Sequence, residues 1–144
     1  MLRLRQFSPS DLDKVIRITH SSLGESYSPN LYINIHNSWS GGFMIAEYWG
    51  ELIGFIAGVI SERQSARILM LAVIEGFRCR GIGTALLNAF MNECALKGIK
   101  TISLEVRKSN NIAVKFYARF GFQILNTLPQ YYTNGEDGYQ MWKS

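Results

Sequence analysis

The sequence predicts an α/β domain with a mixed sheet of seven strands and four helices, and three observations carry that expectation. Helical and strand patterns alternate along the whole chain in the order β-α-α-β-β-β-α-β-α-β-β. One run, Arg67 to Ile74, is almost continuously apolar, as expected of a strand covered on both faces. The chain has 144 residues, 47% hydrophobic and 18% charged, enough to bury one core. No repeat, low-complexity stretch or Pro/Gly/Ser linker divides it, so residues 1–144 read as a single domain.

Leu2, Leu4 and Gln6 alternate with Arg3 and Arg5 as a short strand. Ser8-Pro9-Ser10-Asp11 then supplies an N-cap, a proline at the first helical position and an acid at the third. The helix it opens carries Leu12, Val15, Ile16 and Leu23 on one face. Ser28-Pro29 repeats the start signal, and Leu31, Ile35 and Trp39 at four-residue spacing predict a shorter helix that Gly41-Gly42 stops. Phe43 to Trp49 and Glu51 to Ile60 read as strands joined at Gly50, and Arg67 to Ile74 follows. After the segment Glu75 to Gly83 a helix runs to about Lys97, with Ile82, Leu86 and Phe90 on one stripe and Gly98 as its left-handed stop. Thr101 to Arg107 is a strand in which Ile102, Leu104 and Val106 alternate with Thr101, Ser103 and Glu105. Ile112, Phe116 and Phe120 at four-residue spacing mark the last helix, ended by Gly121. Gln123 to Leu128 and Tyr139 to Lys143 close the sheet around a turn at Asn134-Gly135.

Composition excludes several classes. The longest near-apolar run, Leu52 to Ile60, is interrupted by Gly54 and Gly58 and is too short to span a bilayer. The start, MLRLRQF, lacks the apolar core of a signal peptide, which leaves the cytoplasm as the expected location. Cys79 and Cys94 are too few for a disulfide framework and have no zinc-ligand spacing, so no metal is expected. His20 and His36 fall on predicted helices away from any motif. From Arg63 to Arg119 there are ten Lys and Arg against Glu75, Glu93 and Glu105, a surplus of seven; elsewhere five stand against eight acids. No run of like charges favours nucleic acid, whereas a small phosphorylated ligand suits a focused positive charge.

Chemistry concentrates where Leu71-Ala72-Val73 is followed by Arg78-Cys79-Arg80-Gly81-Ile82-Gly83-Thr84 and a helix. A buried strand, a glycine turn and a helix N-terminus together present unpaired amides and the positive end of a dipole, which suits a pyrophosphate. The spacing is neither GxGxxG nor a P-loop.

Written as RCRGIG after LAV, the segment resembles the coenzyme A pyrophosphate loop of the GNAT superfamily of N-acyltransferases. The block LEVRKSNNIAVKFYARFGF, Leu104 to Phe122, resembles RimI-type N-terminal acetyltransferases. LGESY, Leu23 to Tyr27, and the closing QYYTNGEDGYQMWK are similar to NatA-type catalytic subunits. The resemblance covers nearly the whole chain and implies a largely antiparallel seven-stranded sheet, acetyl-CoA as co-substrate and protein N-termini as acceptors, and it is compatible with an auxiliary or ribosomal partner. It places the backbone of Leu71, Ala72 and Val73 along the pantetheine and thioester, with an oxyanion-binding amide near Ala72 or Val73. It places Cys79 to Thr84 around the pyrophosphate, with charge from Arg78 and Arg80, and Asn110 on coenzyme A. Tyr117 falls at the position of the general acid near the sulfur and Glu105 at that of the general base. Seven residues of helix turn through about 700°, so Asn110 and Tyr117 lie on one face, about 10.5 Å apart along the axis. Glu25, Tyr27, Tyr131 and Tyr132 match the two walls of the peptide groove. Many relatives have a histidine where this chain has Arg67, which puts a two-residue Glu/His relay in doubt. Acetylation of a lysine side chain or a small amine, and a catalytically silent acyl-CoA-binding or nucleic-acid-binding module, are the alternatives.

Overall fold

The computed structural model describes residues 1–144, and seven strands form one sheet in the order β1-β2-β3-β4-β5-β7-β6. These are β1 (Leu2–Gln6), β2 (Phe43–Tyr48), β3 (Glu51–Glu62), β4 (Ser65–Val73), β5 (Thr101–Arg107), β6 (Gln123–Leu128) and β7 (Gly138–Lys143). Every pairing is antiparallel except β4 with β5. A parallel neighbour needs a crossover, and α3 (Ile82–Leu96) provides it. α3 and α4 (Asn111–Arg119) cover one face, where Leu86, Leu87 and Phe90 meet Ala66, Ile68, Ile102, Leu104 and Val106. α1 (Leu12–Ile18) and α2 (Pro29–Ser38) cover the other, where Val15, Ile18, Tyr32 and Ile35 meet Phe43, Phe55, Met70 and Ala72. No helix is long and apolar enough to cross a membrane.

Three helical expectations need correction. The α-helical part of α1 stops at Ile18, and Thr19–Leu23 winds into a π-turn ended by left-handed Gly24, so the helix is not continuous to Leu23, although Leu23 still packs against the cluster of Val15. Trp39 is not on the α2 face: it follows the helix in an extended conformation and crosses to the α3 core, edge-on to Phe90. In α4 the stripe holds only in part: Phe116 and Phe120 pack against the α3 core, but Ile112 is 85% exposed and Tyr117 is the residue the core buries. For Trp39 and Ile112 spacing identified the helix, while packing against a neighbour chose the face.

Helix entry follows the expected chemistry in modified form. The Asp11 carboxylate accepts from the Ser8 amide at 2.9 Å, and Pro9–Asp11 is a 3₁₀ turn before α1. Asp11 also accepts two bonds from the Arg5 guanidinium at 2.8 Å each, which holds its carboxyl below the usual range and ties α1 to β1.

Two irregularities in β4 shape everything at the centre. Ala57 pairs with Met70 but Gly58 with Ile68, so Leu69 is an extra residue. Below this bulge Ala66 and Ile68 pack toward α3; above it Met70 and Ala72 pack toward α1 and α2. The parallel ladder with β5 covers only Ser65↔Thr101 to Ile68↔Leu104. Beyond it the strands part.

Gly58 sits at the bulge, where a Cβ would stand 2.4 Å from the Phe90 ring and 2.8 Å from the Arg67 carbonyl oxygen. Phe90 is fully buried and cannot swing away. Gly58→Ala should therefore lose about 1–3 kcal/mol of stability, read as a lower urea midpoint at unchanged slope.

Candidate active site

Where β4 and β5 part, a cavity of about 310 Å³ runs between them, walled by Ile68 to Leu71 on one strand and Leu104 to Arg107 on the other. Side chains enter it from both faces of the sheet. Ile102, Leu104 and Val106 point to the α3 core, so by strand alternation Glu105 and Arg107 lie on the α1/α2 face. Leu23, Glu25 and Tyr27 approach on that side, with Tyr132 from the β6–β7 loop. Asn110, Ala113 and Tyr117 enter from α4, on the other face.

The opening also frees backbone. Ile74 N–H donates to Ile53 O at 2.9 Å, so in this unshifted stretch of antiparallel ladder Met70, Ala72 and Ile74 bond β3, while Leu71 and Val73 present their groups away from it. The Val73 carbonyl accepts from Arg78 Nε at 2.9 Å, as an outward group should. Of the two amides expected to bind an oxyanion, Ala72 is committed to β3 and Val73 faces outward; the outward amide of Leu71, not expected from the sequence, stands beside it.

On the α1/α2 face the polar groups form two knots. Glu105 Oε1 accepts from Arg67 Nε at 2.7 Å and lies 2.6 Å from Nη2 in the ion pair, and Nη2 donates to the Tyr131 hydroxyl at 3.3 Å. Arg107 binds Glu25 Oε1 at 2.9 Å, Glu136 Oε2 at 3.1 Å and Asn134 Oδ1 at 3.3 Å, and lies 4.1 Å from the centre of the Tyr132 ring. One guanidinium thus fastens the segment after α1 to the β6–β7 loop across the cavity. Burial pushes the Tyr132 phenol up to about 12 despite the neighbouring Arg107, and it raises Tyr27 too, with Glu25 adding to the effect. Both stay neutral donors at ordinary pH.

Asn110 caps α4, its Oδ1 accepting from Ala113 N–H at 3.1 Å, which leaves the amide donors for a ligand. Tyr117, one face further along as the helical spacing required, is 9% exposed and borders the cavity. Burial raises its phenol above the ordinary value.

The anion end lies at the turn into α3. Cys79 (φ 62°) and Gly81 (φ 80°) are both left-handed, and no atom stands within 4 Å of where a Gly81 Cβ would be. The first-turn amides of Ile82, Gly83 and Thr84 have no acceptor within their helix. Arg80 stacks on Phe77 at 5.1 Å. The Ile82 side chain is buried in the α3 core, so this residue offers a ligand only its backbone. This cradle, open and positively charged, fits a pyrophosphate, and the cavity next to it fits a pantetheine and thioester.

Among the expected site residues, Glu25, Tyr27, Leu71, Glu105, Asn110, Tyr117 and Tyr132 border the cavity. Tyr131 does not; it stands 45% exposed at the rim, edge-on to Tyr132. Val73 and Arg78 to Thr84 lie outside the cavity, toward and in the α3 turn. Sequence reasoning missed Arg107, whose place two residues after Glu105 on one strand face was the available signal, and missed Met70, which the bulge turns into the cavity floor. Neither cysteine borders the cavity: Cys79 is exposed, and Cys94 is buried, its thiol pushed up to about 12. His20 and His36 lie elsewhere, and no three His, Cys, Asp or Glu residues gather as metal ligands would.

A sheet opened between two parallel strands beside a glycine turn defines a class of acyl-CoA-dependent transferases, and the chain belongs to the Acetyltransferase (GNAT) family, whose sequence profile matches residues 12–122. It is 33% identical to the N-alpha-acetyltransferase of Sulfurisphaera tokodaii, over 96% of this chain and 90% of that protein. The crystal structure of Ard1 from Thermoplasma volcanium superposes with a TM-score of 0.95 at 40% identity, covering 99% of this chain and 96% of the other. Arabidopsis thaliana Naa50, in complex with the bisubstrate analogue CoA-Ac-MVNAL, superposes at 0.90 with 28% identity, covering 99% and 98%.

Arg107→Leu removes every tie between the two loops at once. Hydrogen bonds to charged groups contribute about 1.5–3 kcal/mol, so the KM for a peptide acceptor should rise about tenfold or more. Acetyl-CoA affinity, measured by calorimetry, should not change. A KM within twofold of wild type would show that the loops hold without it.

Proposed function

We propose that the protein is an N-α-acetyltransferase that moves acetyl from acetyl-CoA directly to the N-terminal amine of a protein or peptide. The observation that carries this reading is the passage through the sheet, with Glu105 on one face and Tyr117 on the other. Acetyl-CoA supplies the acyl group and a thiol leaving group. Its pyrophosphate falls to the amides and positive end of α3 with Arg78 and Arg80, and its thioester to the outward amides of Leu71 and Val73 and to Asn110. The acceptor comes from the α1/α2 face, where Glu25, Tyr27, Tyr131 and Tyr132 offer hydrogen-bonding groups to the first peptide units.

Each chain residue then has a limited task. An α-amine has a pKa of about 7.7–8.0 against about 10.4 for lysine, so about a tenth of it is neutral at pH 7. Glu105 removes the proton of the remainder, through Oε2, which accepts no bond from the protein. The amides of Leu71 and Val73 donate to the oxygen on which negative charge develops. Tyr117 donates a hydrogen bond to the departing sulfur; with a phenol raised above about 10 and a thiol near 8.5, complete transfer of its proton is uphill. No cysteine borders the cavity to carry the acetyl group, which supports direct transfer. The relatives named N-alpha-acetyltransferase, and the peptide-bearing analogue bound to Naa50, support the choice of acceptor.

Mass spectrometry on two peptides of one sequence tests the acceptor class. The peptide with a free N-terminus should gain one acetyl group, at its α-amine, and the N-terminally blocked peptide with an internal lysine should be a poor substrate. Equal rates would favour the lysine or small-amine reading. Glu105→Gln should cost about 10²–10⁴ in kcat at pH 7 and regain part of it toward pH 9, where the amine is neutral unaided. Tyr117→Phe should cost less, about 10–100-fold, with no recovery as pH rises, because the wild-type phenol remains protonated throughout that range.

A further inference from the structure

β4 and β5 run parallel with Arg67 opposite Ser103, so Arg67 and Glu105 stand two residues apart on one face of neighbouring strands. That register brings a guanidinium against the carboxylate proposed as the base. The contact has an unusual form. A fork-to-fork pair would engage both carboxylate oxygens. Here Nε at 2.7 Å and Nη2 at 2.6 Å both meet Oε1, and Oε2 accepts nothing from the protein. One hydrogen bond and one close ion-pair contact on the same oxygen anchor the carboxylate at Oε1 and leave the other oxygen unengaged. Glu105 is 14% exposed against 40% for Arg67, so the pairing holds the better-buried partner from its solvent side. The same Nη2 reaches the Tyr131 hydroxyl at 3.3 Å and so links the base to the rim of the groove.

We infer that Arg67 is a positioning residue for the acetyl transfer, holding Glu105 by Oε1 so that Oε2 is the oxygen that takes the proton of the acceptor amine. The inference rests on the reading of Glu105 as the base. A guanidinium has five donors and no acceptor and keeps its charge in proteins, so Arg67 cannot relay a proton as an imidazole at this position could. The proton passes from the ammonium nitrogen to Oε2 and from there to solvent; the lone pair so freed forms the new bond to the acyl carbon, the carbon–sulfur bond breaks with its electron pair going to the departing thiolate of coenzyme A, and the second proton of the nitrogen is lost to that thiolate or to solvent. A single oriented carboxylate replaces a two-residue relay.

The test is a double-mutant cycle on the full chain, with kcat, the KM of a short peptide, acetyl-CoA affinity and melting temperature measured for each member. Arg67→Ala should lower kcat about 10- to 100-fold with KM changed less than threefold and acetyl-CoA affinity unchanged. Arg67→Lys should recover part of the loss, since an ammonium can reach Oε1 but offers no fixed fork. In the Glu105→Gln background, Arg67→Ala should cost less than a further twofold, because the group it orients is already gone. Two independent, multiplying losses would overturn the inference and make Arg67 a group acting on its own. A wild-type kcat in Arg67→Ala, with Glu105→Gln impaired, would overturn it while leaving Glu105 as the base; a wild-type kcat in Glu105→Gln would overturn the assignment of the base itself. A fall in melting temperature matching the loss of rate in both Arg67→Ala and Arg67→Lys would make the residue structural and likewise overturn the inference.

Discussion

Everything at the centre of this protein depends on how briefly β4 and β5 pair. A parallel ladder continued to the strand ends would close the sheet and pair the outward amides of Leu71 and Val73 with β5; the Val73 carbonyl is instead taken by Arg78. The ladder stops at Ile68 and Leu104. The extra residue Leu69 contributes by re-aiming the upper half of β4, so that Met70 and Ala72 serve the α1/α2 core while Ala66 and Ile68 serve the α3 core. An interior sheet ordinarily leaves no backbone group unpaired. The exception here is where a ligand can supply the missing partners, and the helix that crosses over between the two strands begins beside the same gap.

The charges follow from that opening. Interior strands seldom carry carboxylates or guanidiniums, yet β4 and β5 together carry Arg67, Glu105 and Arg107 on one face. Each has partners from a different part of the chain: Arg67 and Glu105 pair with each other, and Arg107 holds Glu25 on one side and Glu136 on the other. The loops that border the cavity are thus tied to the rigid floor and not only to each other. Neutral tyrosines, kept protonated by burial, finish the walls, so the groove offers hydrogen bonds with little fixed charge of its own beyond the ion pairs.

Sheet and helix order were readable from local pattern, since a period of two or of three to four residues reports which element forms whatever lies beside it. Faces were less readable. Ile112, Phe116 and Phe120 mark α4 correctly and Phe116 and Phe120 pack against the core, but Ile112 is exposed and Tyr117 is the buried residue, because the side of α4 that faces inward is set by the gap it covers. Trp39 continues the α2 spacing and belongs to the opposite core, since an extended residue after a helix can be carried past the sheet edge. Leu23 was placed on a continuous helix that a π-turn interrupts. The bulge at Leu69 has no mark in an almost wholly apolar run.

The sequence by itself determined the order of elements, the glycine turn into α3, and the residue types from which an acyl transfer site is made, because turn chemistry, periodicity and side-chain chemistry are local properties. Helical repeat put Asn110 and Tyr117 on one face of α4, while Glu105 joined them only through the resemblance to RimI-type enzymes. Only the tertiary structure decided that Ala72 bonds β3 while Leu71 and Val73 face the gap, that Arg107 joins two loops, and that Arg67 grips one oxygen of Glu105. These facts depend on strand register and on contacts between residues such as Glu25 and Arg107, which are 82 positions apart. No local pattern encodes a partner at that separation.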